Sequence, residues 1–126
     1  MKKYEKTYVP EEGMYRIRAL VDIPRHGVKA GDLGGWIEGE HNLMHTGDCW
    51  VHGQATAYHR ARVRGNALVS GRAMVGGYAQ VYGNAMVGGC AYISDWAQVG
   101  GSAKVESLTT LKGYAVVSEG PDIIEN

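Results

Sequence analysis

Seventy-two consecutive residues, Gly47 to Ser118, divide without a slip into twelve hexads, and no other feature restricts the fold as tightly. The third place of each hexad is small, from Cys49, Ala55 and Ala61 through Ala103, Thr109 and Ala115. The fifth place is aliphatic from Val51 to Val117 and is short only at Ala57. In an extended segment alternate side chains share one face, so places three and five point inward together while place four points out. The chain must then turn before the next hexad begins.

The first place supplies the turn. Nine of the twelve hexads open with Gly, and Asp48, Asn66 and Asn84 stand just after it, all residue types that tolerate left-handed backbone angles. Three short strands and three corners, about eighteen residues, close one triangular coil of a parallel β-helix built on hexapeptide repeats. The twelve hexads therefore make about four coils. A single coil buries too little apolar surface to offset the entropy of ordering it, so stability must come from stacking coil on coil.

Composition fits this narrow core. Nineteen Gly and no Phe among 126 residues are unusual for a thick globular core, whereas a solenoid takes Gly at its corners and small aliphatics inside. Thirteen basic residues balance thirteen acidic ones, so no global field attracts nucleic acid or a membrane surface. Cys49 falls in an inward place and Cys90 in an outward one, which is neither a disulfide framework nor a metal pattern. The N-terminus lacks a signal-type apolar run and no stretch is long enough to span a bilayer, so the expectation is a cytoplasmic protein.

A solenoid needs closing at its ends. Met1 to Glu12 reads as a loose polar arm. From Tyr15 to Ile23 an alternation of period two predicts a half-buried strand, ended by Pro24. The Gly-rich block that follows carries Trp36, and together with that strand it is the expected cap. Extending the frame backward through 41–46 puts Leu43 in the small place and His45 in the aliphatic one, a degenerate seam. The expected divisions are residues 1–46 as arm and β cap, 47–118 as β-helix, and 119–126 as a C-terminal half-coil and tail, with Ile123 in an aliphatic place.

The block GVKAGDLGGWIEGEHNLMHTGDCWVHGQA, from Gly27 to Ala55, resembles the entry segment of YdcK-type hexapeptide-repeat proteins, where VKAG, GGW and GDCW precede the repeats at similar spacing. The resemblance implies a left-handed parallel β-helix. It also implies an association with bacteria and their phages, and a frequent acyltransferase label borrowed from the wider superfamily.

Function must then be sought on the outward columns. With eighteen residues per coil, Trp50, Leu68, Met86 and Lys104 align on one face, Thr56, Met74, Tyr92 and Thr110 on the second, and Met44, Arg62, Gln80, Gln98 and Val116 on the third. Aligned apolar residues outside a solenoid mark an interface. The expected contact between subunits of a homo-oligomer is therefore Trp50, Leu68 and Met86, with Met74 and Tyr92. In the hexad HRARVR, Arg60, Arg62 and Arg64 all point outward, and Arg60 falls in one column with Tyr78, Trp96 and Tyr114. Arg60, Arg62, Arg64, Tyr78 and Trp96 form the expected partner-binding face, either for a protein or, through stacking and charge, for a nucleotide or single-stranded nucleic acid. Balanced net charge disfavours nucleic acid, and an aligned aromatic column also serves simply to hold coils in register.

His41 and His59 stand eighteen residues apart on one expected corner, close enough to share a metal ion, but no third ligand joins them, so no metal site is assigned. Catalysis in the acyltransferase manner needs a histidine on a loop thrown out from the coils, and the unbroken frame leaves none. No catalytic residue and no cofactor is expected. The leading function is a non-catalytic, oligomeric binding module. The phage association that the resemblance implies suggests a host protein as its target, inhibited by the contact. A minimal acyltransferase and a nucleotide-binding protein are the alternatives.

Overall fold

The computed structural model describes residues 2–119 and is an all-β parallel β-helix of about five turns. Twelve two-residue strands, from Trp50–Val51 to Val116–Val117, recur every six residues and stack into three flat faces. The faces are those the hexad frame predicts. Trp50, Leu68, Met86 and Lys104 are successive partners on one, Thr56, Met74, Tyr92 and Thr110 on the second, and Arg62, Gln80, Gln98 and Val116 on the third. Each strand donates to the coil above it, as Leu68 N–H does to Ala85 O at 3.0 Å and Met86 N–H to Ala103 O at 2.9 Å. The inward alanines and valines from Ala55 to Val105 are fully buried, forming a core one side chain wide.

All twelve first-place residues have positive φ, between 53° and 75°, including the three that are not Gly: His59, Asp95 and Ser107. The corner is thus a left-handed residue followed by a residue of ordinary conformation. Asp48, Asn66 and Asn84 play a different part from the one their type suggests. Asn66 accepts from Asp48 N–H through Oδ1 at 3.2 Å and donates to Asn84 Oδ1 at 3.3 Å, a side-chain ladder running up one corner.

The N-terminal segment is no loose arm. Tyr4–Val9 is a strand, β1, paired antiparallel with β2, Met14–Ala19, which in turn pairs antiparallel with β3, Leu33–Ile37. The strand expected over 15–23 therefore lies one residue earlier and ends at Ala19, although Ile17, Ala19 and Ile23 are buried as the alternation requires. β3 joins the second face in parallel with Thr56–Ala57 and so provides a rung below the hexads, which is why that face has five parallel rungs instead of four. Polarity hid β1 from the sequence. It contributes one inward ring, Tyr4, and its neighbour Lys3 is a buried cation.

That cation answers a need of the architecture. The carbonyls of the lowest coil have no coil beneath them, and an unpaired buried carbonyl is costly. Lys3 Nζ donates to Gly47 O at 3.1 Å and Cys49 O at 2.6 Å, Tyr4 Oη to Leu43 O at 2.6 Å, Arg16 Nε to Gly34 O at 2.6 Å, and Asn42 Nδ2 to Ala61 O at 2.8 Å. The cap works as a set of donors fitted to that end.

The seam differs from the expected frame by two residues. Ile37 pairs with Ala57 and Leu43 with Val63, twenty residues apart, while Trp50 and Leu68 are eighteen apart. Leu43, not His45, therefore takes the aliphatic place, and Met44 falls past the Arg62 column. His45 lies under the cap instead, its ring 4.1 Å from that of Tyr4, accepting from Lys3 N–H through Nδ1 at 3.0 Å and facing Glu40 Oε1 through Nε2 at 2.9 Å. Among the described residues no helix is long and apolar enough to cross a membrane. The half-coil expected around Ile123 lies outside the described residues.

Candidate binding groove

The third face and the corner leading into it carry the chemistry. Place two of that corner holds Arg60, Tyr78, Trp96 and Tyr114 in successive coils. The three rings stack nearly parallel, Tyr78 on Trp96 at 5.5 Å between centroids and 3° between planes, Trp96 on Tyr114 at 5.3 Å and 13°. The spacing follows the strand-to-strand repeat of the coils. Each ring edge faces solvent, about half of Tyr78 and Trp96 being exposed (52% and 49%).

Beneath Tyr78 the ladder stops, and a groove of about 990 Å³ opens. Arg60, Arg62, Tyr78, Gln80 and Trp96 of the coils line it together with His59 and with Glu38 and His41 of the cap and seam. Gly77 also lines it and adds no side chain beside Tyr78. Arg60 in the corner and Arg62 at the start of the strand Arg62–Val63 flank the inward Ala61, and both are exposed. Among the described residues neither forms an ion pair with a carboxylate.

Four of the five residues expected at a partner-binding face thus meet in one groove. The fifth, Arg64, is otherwise engaged. Its Nε and Nη2 donate to Gln80 Oε1 at 3.1 and 2.8 Å, and its guanidinium lies 4.6 Å from the Tyr82 ring centroid. Three arginines that the sequence treats alike are divided by whether an acceptor and a ring happen to stand one coil above.

Glu38 is the groove residue that sequence reasoning missed. It belongs to the cap, and its Oε1 accepts from His59 N–H at 2.5 Å, tying the cap to the left-handed corner at His59. The two-residue slip at the seam brings it there, and the hexad frame holds no sign of that slip.

The histidines do not gather as metal ligands. His41 donates through Nε2 to the backbone carbonyl of His59 at 2.7 Å, which occupies that nitrogen. His45 is enclosed by the cap, and among the described residues no cluster of three potential ligands occurs. His26 meets Asn66 O through Nε2 at 3.0 Å, and burial lowers its pKa.

The expected subunit contact is divided in the structure. Trp50 points outward in register but is fully buried, because it stands on the lowest rung where the cap covers it. Tyr4 packs edge-on at 6.4 Å, and a β-carbon on Gly34 would come within 2.6 Å of Trp50 Cζ2. Trp50 is therefore a core residue of the cap and not part of any free surface. Leu68 is half-buried, while Met86, Met74 and Tyr92 are exposed at 41%, 43% and 41%. These three remain a strip across two adjoining faces.

No protein-family model matches the chain, and no curated protein is significantly similar to it.

Proposed function

We propose that the chain is a non-catalytic binding module, a rigid β-helix that presents the Arg60, Arg62, Tyr78 and Trp96 groove to an anionic partner and self-associates through the Met74, Met86 and Tyr92 strip. The observation that carries this reading is the pair of exposed arginines, free of carboxylate partners among the described residues, beside an aromatic ladder that ends in the groove. Cations and rings offered together, with no carboxylate paired to either cation among the described residues, suit recognition of negative charge joined to a flat surface. The likeness of residues 28–55 to YdcK-type proteins agrees with the scaffold and is silent on chemistry.

Sequence alone favours a protein of a host cell as the partner. The groove adds a different weight, since a concave site of about 990 Å³ lies at the upper end of the range for small-ligand pockets, about 300–1,000 Å³. Support for binding over acyl transfer comes from the coils. The twelve strands keep their six-residue spacing throughout, so no segment extends from them to carry a base.

The test compares wild type with the Arg60→Ala/Arg62→Ala double variant, purified from cells and analysed for retained proteins and extracted small molecules. A species held by wild type and lost from the variant is the expected result. Equal retention by both, or no retained species at all, would overturn the assignment of the groove. Consumption of acetyl-CoA above the buffer rate would favour the acyltransferase reading instead.

A further inference from the structure

We infer that the groove takes a nucleoside phosphate, with the base stacked on the free face of Tyr78 and the phosphate held between Arg60 and Arg62; this rests on the binding-module reading above.

The Tyr78 ring has two faces, and Trp96 covers one. Among the described residues no ring and no side-chain cation lies over the other, although Arg16, Arg64 and Lys6 each cover a different ring. One coil below Tyr78 the column continues as Arg60, which lines the groove with Tyr78 and is not among the cations that lie over a ring. The ladder is therefore one rung short at the point where the cavity begins. A planar heteroaromatic ring fills that rung, since every base presents a π-face and stacking on aromatic side chains tolerates base identity.

The second half of the ligand follows from the arginines. Arg60, in the corner, and Arg62, at the start of the strand Arg62–Val63, stand on either side of the buried Ala61 and line the same groove as Tyr78. Guanidinium groups so placed suit a phosphate, whose oxygens accept from both forks at once. A base alone would leave the arginines unused, and a phosphate alone would leave the ring face unused. A nucleotide brings both groups on one rigid sugar. Glu38, which also lines the groove, keeps one carboxylate oxygen committed to His59 N–H and is paired with neither arginine, so both guanidinium groups remain available to the anion.

Free nucleotide and single-stranded nucleic acid share this chemistry, and the experiment separates them. Wild-type protein is titrated calorimetrically with AMP, GMP, UMP, adenosine, inorganic phosphate and a short single-stranded oligonucleotide. At least one nucleotide or the oligonucleotide binds, and adenosine and phosphate each bind far more weakly. Tyr78→Ala weakens binding roughly 5- to 150-fold, Arg60→Ala/Arg62→Ala abolishes it, and Arg72→Ala, an exposed arginine on another corner, leaves it unchanged. Unaltered circular dichroism shows that each variant is folded. Binding by the oligonucleotide and not by mononucleotides identifies the source as nucleic acid.

Absence of binding by every nucleotide and by the oligonucleotide at about 1 mM, a level that detects affinities near −4 kcal/mol, would overturn the inference. So would equal binding of adenosine and AMP, or binding indifferent to Tyr78→Ala. If nucleotides fail while another species is still retained in an arginine-dependent way, the ligand class is wrong and the module stands. If that retention also fails, both fall.

Discussion

The ring of Tyr58 lies across the α-carbon of Gly76, eighteen residues later, so closely that a β-carbon there would overlap it. Tyr82 covers Gly100 in the same way, one corner further round. In both pairs a large residue in the sixth place of one coil leans upward into room left by a Gly in the next.

Gly76→Ala should therefore expel Tyr58 and break its 3.5 Å contact with Tyr92 Oη. Overpacking of this kind costs about 1–3 kcal/mol. Burial, and then Tyr92, hold the Tyr58 phenol above its ordinary pKa, so the variant should also bring that titration back down. Chemical denaturation and an ultraviolet pH titration measure the two effects. A Tyr58→Ala/Gly76→Ala double variant no more unstable than Tyr58→Ala would show that the clash is the cause.

Val81→Asp places a charge among the buried alanines and valines of the core, since Val81 is fully buried. Unpaired buried charge belongs to the most damaging class of substitution, above about 4 kcal/mol. Insoluble protein or loss of the β circular dichroism is expected. A soluble variant with an unchanged spectrum would contradict the inward register.

Ser107 holds a left-handed conformation, φ 61°, without a Gly. That conformation costs an L-residue about 1–2 kcal/mol, part of which the greater freedom of an unfolded Gly returns, so Ser107→Gly should stabilise by about 0.5–1 kcal/mol. Asp95→Gly should gain less, because Asp95 Oδ2 accepts from Gly113 N–H at 2.9 Å and already compensates its φ of 57°. Paired thermal melts give the order.

Glu40 ties the cap to the seam. Its hydrogen bond to Lys6 first, and then that to His45, hold its pKa well below the ordinary 4.5, at about 2. A carboxylate depressed on folding contributes stability that is complete above the unfolded value and lost as pH falls from 4.5 toward 2. The group is more than a third exposed, so solvent screening limits the gain to under about 1 kcal/mol. Glu40→Gln should accordingly be slightly less stable than wild type at neutral pH, with the difference vanishing across that acid range. Thermal midpoints measured against pH decide it.

Self-association is tested at Met86, exposed on its face and not among the residues that line the groove. Met86→Asp should yield monomers by light scattering without altering the circular dichroism. An unchanged mass would remove the strip from the assembly. Trp50→Asp is no substitute, because a charge there destroys the cap before it reports on any contact.

The interior was legible because a six-residue period repeats the same decision twelve times: Ala67, Val69, Ala85 and Val87 are buried as their places require. The groove was half legible. Arg60, Arg62, Tyr78 and Trp96 came from the columns, whereas Glu38 entered through the slip that pairs Ile37 with Ala57, set by the cap and not by the period. Trp50 was misplaced for a related reason. A column identifies which way a side chain points, but only the terminal elements decide whether another layer lies over it. β1 was illegible because its task, supplying Lys3 and Tyr4 as donors to orphan carbonyls, needs two residues and leaves no periodic trace.

Three strands per coil have a corollary for insertions and deletions. Adding eighteen residues between Gly101 and Gly113, above the groove, would lengthen the rod and leave every face in line. Adding six between Arg64 and Gly77 would preserve the core letter for letter, yet turn everything above by a third of a revolution, carrying Tyr78 and Trp96 away from Arg60 and Arg62. The same fold would survive with the proposed recognition surface dismantled, so the phase of the repeat, and not its presence, is what selection on such binding would have to guard.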